Sequence, residues 1–238
     1  MKTVPRTAAV VVAAGVGRRM RQDKVLLRLR DKPILLYSLH ALADHPGIDR
    51  IVIVTRSEIM PQVQSELISL PAKHAQSSVI EGGQQRYDSV WNAIQHLQHN
   101  DPPDIVLIQD GARPFLSQKL ISQSIEAASE FGAACVAIKA EDTLKRSLDE
   151  CTIEETLDRS TVWRAQTPQT FRFSLLFECF ERLRHEGLLT DVTDDASVLE
   201  RCGHPVRIVQ GDTRNIKITH PLDLAIAEAL LNNDDTTQ

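Results

Sequence analysis

A glycine loop with several cations follows the first apolar run of the chain and has the residue types that bind phosphate. The loop spans residues 13–20 (AAGVGRRM), and Lys24 follows shortly after it. Glycines in such a turn let backbone N–H groups approach phosphate oxygens, and the cations supply opposing charge. A P-loop would end in Gly-Lys-Ser or Gly-Lys-Thr, and a dinucleotide fingerprint would carry a third glycine or an alanine in place of Met20. The loop therefore favours a phosphate site outside those two classes, although a plain turn with solvated arginines fits this segment equally well.

Two further polar clusters follow runs that are typical of buried strands. The sequence DGARP, with Asp110 and Arg113, follows the apolar run DIVLIQ, and GGQQR, with Arg86, follows residues 78–80. Because ligands of open α/β sheets bind at the carboxyl ends of the strands, we expect both clusters to lie beside the glycine loop. Asp110 could there hold Mg²⁺ or a ribose hydroxyl, and its alternative role is to cap a turn. Arg86 is either a ligand contact or an ordinary surface arginine.

Three polar stretches in the second half of the chain are also candidates. The run WRAQTPQ, at residues 163–169, has no obvious structural purpose. In TDDA, Thr193 fits a helix cap better than a ligand contact. In NIKIT, Lys217 lies between apolar neighbours, so alternation places it equally well on a solvated face or in a pocket.

These clusters need elements that bring them together, and the chain alternates predicted strands with predicted helices. The predicted strands are residues 8–14, 50–55, 78–80, 104–109, 133–138 and 207–209. Six helices are predicted: one that begins at Pro33, one over residues 60–70, one after the Gly82-Gly83 pair, one over 120–131, one from Phe173 to Gly187, and one that begins at Pro221. The tail from Asn232 is expected to fray. This alternation predicts an α/β fold with a doubly wound, mostly parallel sheet. Without repeats or linkers, we expect residues 1–238 to form a single domain.

One segment interrupts the alternation. Residues 142–159 contain two short mixed runs around a polar turn at Asp149-Glu150, which predicts a β-hairpin. An isolated two-stranded hairpin is marginally stable in water, so we expect this protruding arm, at about 142–160, to pack on a second subunit.

Composition narrows the class of protein. The chain has 238 residues, 42% hydrophobic but only 4% aromatic, as expected for a sheet core of aliphatic residues. Its net charge of -5 argues against a nucleic-acid partner, which calls for clustered cations. The four cysteines form no C-x-x-C pair, and we find neither a signal peptide nor an apolar run of spanning length. We therefore expect a cytoplasmic protein without membrane association.

The motifs in this order resemble those of the 2-C-methyl-D-erythritol 4-phosphate cytidylyltransferase family, from about Ala8 to Leu231. The specific ones are GGQQRYDSV, QDGARPF, DTLKR, WRAQTPQTF, TDDASVLE and GDTRNIKIT. The resemblance implies a Rossmann-like nucleotidyltransferase fold. It also implies transfer of CMP from CTP to 2-C-methyl-D-erythritol 4-phosphate, giving 4-diphosphocytidyl-2-C-methyl-D-erythritol and pyrophosphate in the non-mevalonate isoprenoid pathway. It also implies dependence on Mg²⁺ or another divalent cation, and a homodimer joined through the arm. The compartment would be the cytoplasm, or the plastid stroma for a plant-type source.

Residue roles follow from the same resemblance. It implies that Arg19 and Lys24 stabilise the transition state on the CTP phosphates, and that Arg159 and Lys217 complete the catalytic set, with Arg159 reaching the neighbouring subunit. The predicted nucleotide-binding residues are Ala14, Gly15, Gly17, Gly83, Arg86, Ser89, Asp110 and Gly111. The predicted acceptor-binding residues are Arg113, Thr143, Arg159, Thr167, Thr193 and Lys217. Asp110 is also the predicted metal ligand.

The chain departs from the family pattern at one place. The family usually has Pro-Lys farther from Met20, whereas here Asp23 precedes Lys24 after a shorter spacing, as in molybdenum-cofactor nucleotidyltransferases. The alternatives are therefore that class, a cytidylyltransferase for ribitol 5-phosphate or another polyol phosphate, and a non-catalytic nucleotide-binding protein.

Overall fold

The computed structural model describes residues 5–15, 23, 25–67, 77–190 and 192–235 of the chain. Its strands are β1 (Thr7–Val12), β2 (Arg28–Leu29), β3 (Lys32–Pro33), β4 (Arg50–Thr55), β5 (Ser78–Glu81), β6 (Ile105–Asp110), β7 (Ala133–Lys139), β8 (Lys145–Arg146), β9 (Glu155–Thr156), β10 (Trp163–Arg172) and β11 (Arg207–Gln210). Its helices are α1 (Ile34–Asp44), α2 (Met60–Leu67), α3 (Arg86–His99), α4 (Gln118–Phe131), α5 (Phe173–His185), α6 (Ala196–Arg201) and α7 (Pro221–Asp235), and a 3-10 turn spans Ser57–Ile59.

Seven strands form the central sheet, in the order β11-β7-β10-β6-β1-β4-β5. The strands β6, β1, β4 and β5 run parallel to one another, and β11 runs parallel to β7. Every residue of β6 is buried, as expected for a parallel strand covered on both faces. Val12 lies opposite Asp110 in the register of β1 and β6, so the glycine loop leaves the sheet beside that carboxylate.

Helices cover both faces of the sheet, which confirms the doubly wound α/β fold. One core cluster joins α1, α2 and α4 to the sheet through residues such as Leu39 and Ile121. The other joins α3, α5 and α6 through residues such as Ile94 and Phe180. Because successive strand residues point to opposite faces, Ala8 and Val10 of β1 belong to one cluster, whereas Ala9 and Val11 belong to the other.

Several boundaries differ from those predicted at the amino-terminal side of the site. The strand β1 ends at Val12, so Ala13 already belongs to the loop, where its N–H donates to the carbonyl of Val54. Pro33 is not the first helical residue: it has an extended ψ of 140° and precedes α1, which begins at Ile34. The ring of proline fixes φ but leaves ψ free, and here Pro33 pairs with Arg28 in a short hairpin.

Other boundaries move by a few residues. The helix α2 ends at Leu67, and residues 68–70 of the predicted helix lie outside the described residues. The strand β6 includes Asp110, which we had placed after the strand. The last helix continues to Asp235, beyond the point at which we expected fraying.

The strand β10 was missed from the sequence. It lies between β6 and β7 and is antiparallel to both, so the sheet is mixed rather than wholly parallel. Its register against β7 shifts between Ala165 and Gln169, and this irregular stretch contains the cis peptide bond of Thr167-Pro168. Its polar sequence hid it, because Gln166, Thr167 and Gln169 are buried without belonging to the apolar core.

The predicted hairpin is present at residues 142–159, hereafter the arm. The strands β8 and β9 pair antiparallel, with Arg146 opposite Glu155, and all of their residues are exposed. Leu148 and Ile153 near the tip are 81% and 61% exposed, which is unusual for large apolar side chains.

In the parts of the chain that the structure describes, no helix combines the length and apolar character that crossing a bilayer requires.

Candidate functional site

Asp110, the last residue of β6, lies at the centre of a cluster of charges. Its carboxylate is 2.9 Å from Nζ of Lys217, 3.4 Å from Nε of Arg113 and 3.6 Å from Nε of Arg86. Burial alone would raise the pKa of Asp110, but the three cations outweigh it and hold that pKa well below its usual range. We call Asp110, Lys217, Arg113, Arg86 and Asp195 the Asp110 cluster.

Lys217 reaches Asp110 because of the alternation in NIKIT. Ile216 and Ile218 pack against α7 in a third apolar cluster with Leu29 and Ile34, so the intervening lysine points the other way. The N–H of Ile218 donates to the carbonyl of Ala112 at 2.9 Å, which ties this segment to the loop after β6. The sequence left two orientations open for Lys217, and the structure selects the pocket.

Arg113, in the loop after β6, is held by hydrogen bonds to two other segments of the chain. Its Nη1 donates to the carbonyl of Asn215 at 2.7 Å, and its own carbonyl accepts from Oγ of Ser38 at 2.8 Å. Burial lowers the pKa of Arg113 despite the neighbouring Asp110. The side chain is only 10% exposed, so Arg113 is a fixed part of the wall and not a mobile surface cation.

Arg86 is the first residue of α3 and lies between two carboxylates. Its Nη1 and Nη2 donate to the two oxygens of Asp195 at 2.9 and 2.7 Å, while its Nε faces Asp110. Burial would lower the pKa of Arg86, but Asp195 and Asp110 more than compensate and raise it. A capping box between Gln85 and Asp88 fixes the start of the helix and therefore the origin of this side chain.

Two cavities adjoin the cluster and share Lys217. The Asp110 cavity has a volume of about 160 Å³ and is lined by Val12, Ala13, Ala14, Gly15, Val25, Gly83, Gln84, Gln85, Arg86, Ser89, Asp110, Ala112 and Lys217. The Asn215 cavity has a volume of about 280 Å³ and is lined by Arg113, Ile138, Arg164, Ala165, Gln166, Thr213, Asn215, Ile216 and Lys217. A larger cavity of about 650 Å³ lies at the amino end of β6, beside Ile105 and therefore at the other end of the strand from Asp110. None of the predicted site residues line it.

Most of the predicted nucleotide-binding residues come together at the Asp110 cavity. Those that line it are Ala14, Gly15, Gly83, Arg86, Ser89 and Asp110. Gly83 is required there, since an added Cβ would lie 2.2 Å from Cβ of Asp88. Gly111 does not line this cavity: its N–H donates to the carbonyl of Val12, and a Cβ there would meet Leu35, so it packs between β1 and α1, and its contact with the nucleotide stays a prediction.

The predicted acceptor-binding residues separate into two groups. Arg113 and Lys217 line the Asn215 cavity, and Thr167 is buried next to it, where its Oγ1 accepts from the N–H of Asp110 at 3.1 Å. Thr193 is exposed, and the residue that precedes α6 as its cap is Asp195.

Thr143 and Arg159 lie on the exposed base of the arm, where Arg159 donates to the carbonyl of Glu141 at 3.1 Å. Among the described residues, no hydrogen bond or ion pair links either of them to the Asp110 cluster of the same chain. Gly17, Arg19 and Lys24 lie outside the described residues, and Asp23 forms an ion pair with Arg56.

Two buried polar side chains that frame the site, Gln169 and Asn215, were not predicted. Oε1 of Gln169 accepts from the N–H groups of Asp195 and Ala196, both at 2.9 Å, while its Nε2 donates to Asp194 at 2.8 Å. Nδ2 of Asn215 donates to the carbonyl of Thr167 at 2.8 Å. Polar residues within WRAQTPQ and TDDA that have no role in an amphipathic pattern were the signal that could have revealed this frame.

The donor set bears on which metal could bind. Of the residues that line the Asp110 cavity, only Asp110 is acidic, and the described residues contain no group of three His, Cys, Asp or Glu side chains suited to a metal. Mg²⁺ is commonly held by one or two carboxylates together with waters and substrate phosphates. Asp110 therefore fits a cation carried mainly by a polyphosphate, and not a cage built by the protein alone.

The arrangement is suited to binding anions. Three cations face one carboxylate at the junction of the two cavities, and the residues lining the Asp110 cavity include no histidine or cysteine. Such a site can position phosphate groups and stabilise negative charge.

Comparisons with known proteins agree with this geometry. The family model of 2-C-methyl-D-erythritol 4-phosphate cytidylyltransferase matches residues 7–233. Proteins of that name from Geotalea uraniireducens and Geobacillus kaustophilus are 39% and 40% identical, over 96% and 94% of this chain and 97% and 96% of their own lengths. The crystal structure of 4-diphosphocytidyl-2C-methyl-D-erythritol synthase from Anaerococcus prevotii superposes with a TM-score of 0.84 at 27% identity, covering 97% of this chain and 100% of that one.

Proposed function

The chain belongs to the 2-C-methyl-D-erythritol 4-phosphate cytidylyltransferase family, and from that premise we propose how its two cavities divide the reaction. The reaction is CTP-dependent transfer of a cytidylyl group to 2-C-methyl-D-erythritol 4-phosphate in isoprenoid biosynthesis. The relatives are named for 2-C-methyl-D-erythritol 4-phosphate, which does not favour ribitol 5-phosphate as the acceptor. The family match over residues 7–233 likewise does not favour the molybdenum-cofactor class.

We propose that CTP binds in the Asp110 cavity. Gly15 and Gly83 bring backbone to its wall without side-chain bulk, and Arg86 and Lys217 supply positive charge. By the family resemblance, Arg19 and Lys24 belong on the same phosphates.

The acceptor phosphate is assigned to the Asn215 cavity. The observation that carries this division is that Lys217 lines both cavities and also contacts Asp110 at 2.9 Å. A cation at the junction can attract two phosphates that would otherwise repel each other, and Arg113 adds a second positive charge on the acceptor side.

The chemical step is an in-line displacement. An oxygen of the acceptor phosphate attacks the α-phosphorus of CTP, and a new oxygen–phosphorus bond forms as the bond to the bridging oxygen breaks. The electron pair of that bond leaves with pyrophosphate. Because the second pKa of a phosphate monoester is about 6, the nucleophile is largely ionised at neutral pH and requires no general base. Catalysis then rests on positioning and on charge stabilisation by Lys217 and its neighbouring cations.

A divalent cation, Mg²⁺ in the first instance, would neutralise part of the charge on the CTP phosphates. Asp110 is the residue that would contribute a protein oxygen to it, since its neighbouring cations keep its pKa low and, among the described residues that line the cavity, it alone is acidic. Lys217 would then exchange part of its contact with Asp110 for the acceptor phosphate.

The arm is proposed to join two chains into a homodimer. Leu148 and Ile153 are exposed near its tip, and Arg159 and Thr143 lie at its base, away from the cluster of their own chain. Covering the apolar side chains with a second chain would bring the arm of one protomer towards the cavities of the other. A reducing, cytoplasmic setting is proposed as well, since Cys135, Cys151, Cys179 and Cys202 are all free.

The reaction is tested by pyrophosphate release from CTP and Mg²⁺ with 2-C-methyl-D-erythritol 4-phosphate, with ribitol 5-phosphate in parallel. We expect release with the first acceptor. Release with ribitol 5-phosphate alone would overturn the assignment of the acceptor.

The arm is tested by mixing two inactive variants, Arg159→Ala and Lys217→Ala, after unfolding and refolding them together. If Arg159 acts across the dimer, hybrid dimers contain one site with both residues intact, and activity returns. No recovery from a confirmed hybrid dimer would place Arg159 in its own chain's site or outside the reaction.

A further inference from the structure

Asp195 is a buried acidic residue that lines neither cavity but is paired directly with a residue that does. Its side chain is 1% exposed, and both oxygens accept from the guanidinium of Arg86. Paired, fork-like contacts of this kind fix the orientation of a guanidinium as well as its position. Arg86, by contrast, is 27% exposed and forms part of the wall of the Asp110 cavity.

The orientation matters because Arg86 lies between two carboxylates. With Nη1 and Nη2 engaged by Asp195, only Nε faces Asp110, at 3.6 Å. Asp110 consequently keeps its close contact, at 2.9 Å, for Lys217. A released Arg86 would be free to turn its full fork onto Asp110 and so compete with Lys217 and with any ligand of that carboxylate.

Asp195 is itself held by a rigid frame. Its N–H donates to Oε1 of Gln169, whose Nε2 donates to Asp194. Gln169 belongs to β10, the strand that also carries Thr167, whose Oγ1 accepts from the N–H of Asp110. The same strand therefore sets the positions of Asp195 and Asp110, the two carboxylates that flank Arg86.

We propose that Asp195 is a positioning residue for cytidylyl transfer, which acts by holding Arg86 back from Asp110 and so keeping Asp110 available to Lys217 and to the nucleotide. The inference rests on the proposed function, in which the Asp110 cavity binds CTP. TDDA thus contributes Asp195 to the site, and acceptor binding by the exposed Thr193 stays a prediction.

A double-mutant cycle tests it, with Asp195→Asn, Arg86→Ala and the double variant. We expect each single variant to lower kcat/KM for CTP by roughly tenfold to a hundredfold, the range found for outer-shell partners of metal ligands. Because Asp195 acts through Arg86, kcat/KM of the double variant should be no lower than that of Arg86→Ala alone. Should Asp195→Asn fail to fold, as judged by circular dichroism, the cycle is run with Asp195→Glu.

A second readout separates positioning from a merely structural role. Guanidinium chloride at millimolar concentration should partly restore the activity of Arg86→Ala, since Asp195 would hold the added cation. It should not restore the activity of the double variant. Glu200→Gln is the matched control in the adjoining helix α6: Glu200 is exposed, and its loss should leave the rescue of Arg86→Ala in place.

Three results would overturn the inference. Losses that multiply in the double variant, or equal rescue with and without Asp195, would mean that Asp195 only supports the fold. Full activity of Arg86→Ala would also refute it while leaving the reaction intact, because pyrophosphate release by the wild-type chain tests the reaction separately.

Discussion

The Asp110 cluster and the arm both contain several charged side chains, but they differ in what surrounds those charges. In the cluster, Asp110 has three cationic neighbours, and its side chain is 10% exposed. In the arm, Arg146 pairs with Glu154 and Glu155, yet its side chain is 52% exposed. Water screens the second set of interactions and not the first. The single chain therefore fixes the geometry of the Asp110 cluster, whereas the exposed ion pairs of the arm contribute little to holding its conformation.

The largest expected difference between the two regions is in turnover. Lys217→Ala should lower kcat by about a hundredfold to a thousandfold, the usual effect of removing one group that stabilises transition-state charge. The matched change in the arm is Lys145→Ala. Nζ of Lys145 donates to Oγ1 of Thr156 on the exposed surface, and its loss should leave kcat unchanged. Steady-state pyrophosphate release measures both. Similar losses of kcat in the two variants would show that a positive charge between the two cavities matters no more for turnover than one in the arm.

The next largest difference is in stability. Asp110→Asn leaves Lys217 and Arg113 facing a neutral amide in a buried site, and should lower the free energy of unfolding by about 3 kcal/mol. Urea unfolding followed by circular dichroism gives this value. Asp149→Asn removes a carboxylate that accepts from the N–H groups of Cys151 and Thr152 at the exposed tip, and should leave the midpoint nearly unchanged. The comparison fails if the arm variant is the less stable of the two.

The pH dependence of stability sharpens the same contrast. The pKa of Asp110 is lowered in the folded state, so its contribution is present above the unfolded value of about 4 and is lost as the pH falls further. The difference in unfolding free energy between wild type and Asp110→Asn should therefore be largest near neutral pH and shrink below about pH 4. A difference that stays constant down to acid pH would mean that the charge of Asp110 is not what stabilises the fold.

The smallest effect is expected for Arg146→Ala in the arm. Its two ion pairs are exposed, and such pairs contribute little because solvent screens them and because ordering the side chains has an entropic cost. Thermal unfolding should show no measurable change in Tm. A drop comparable to that of Asp110→Asn would show that the arm is as firmly held as the cluster.

Much of the fold could be read from the sequence where the pattern was simple. Apolar runs such as 50–55 and 133–138 predicted strands, and the spacing in FSLLFECFERL predicted α5. The strand β10 was missed because its buried polar residues pair with backbone groups and with polar side chains of other segments. Periodicity detects burial in an apolar core, and it does not detect burial in a polar network.

The amino-acid sequence by itself determined the class of fold, the family motifs and the kinds of side chain available to the site, because these follow from residue type and local order. Only the tertiary structure decided how those side chains are used. It turned Lys217 inward, placed Gly111 in packing, left Thr193 in solvent and paired Asp195 with Arg86. Asp195 and Arg86 are far apart in the chain and meet because α3 and α6 pack into the same core cluster on one face of the sheet. Contacts of that kind are set by packing between distant segments, which no local pattern encodes.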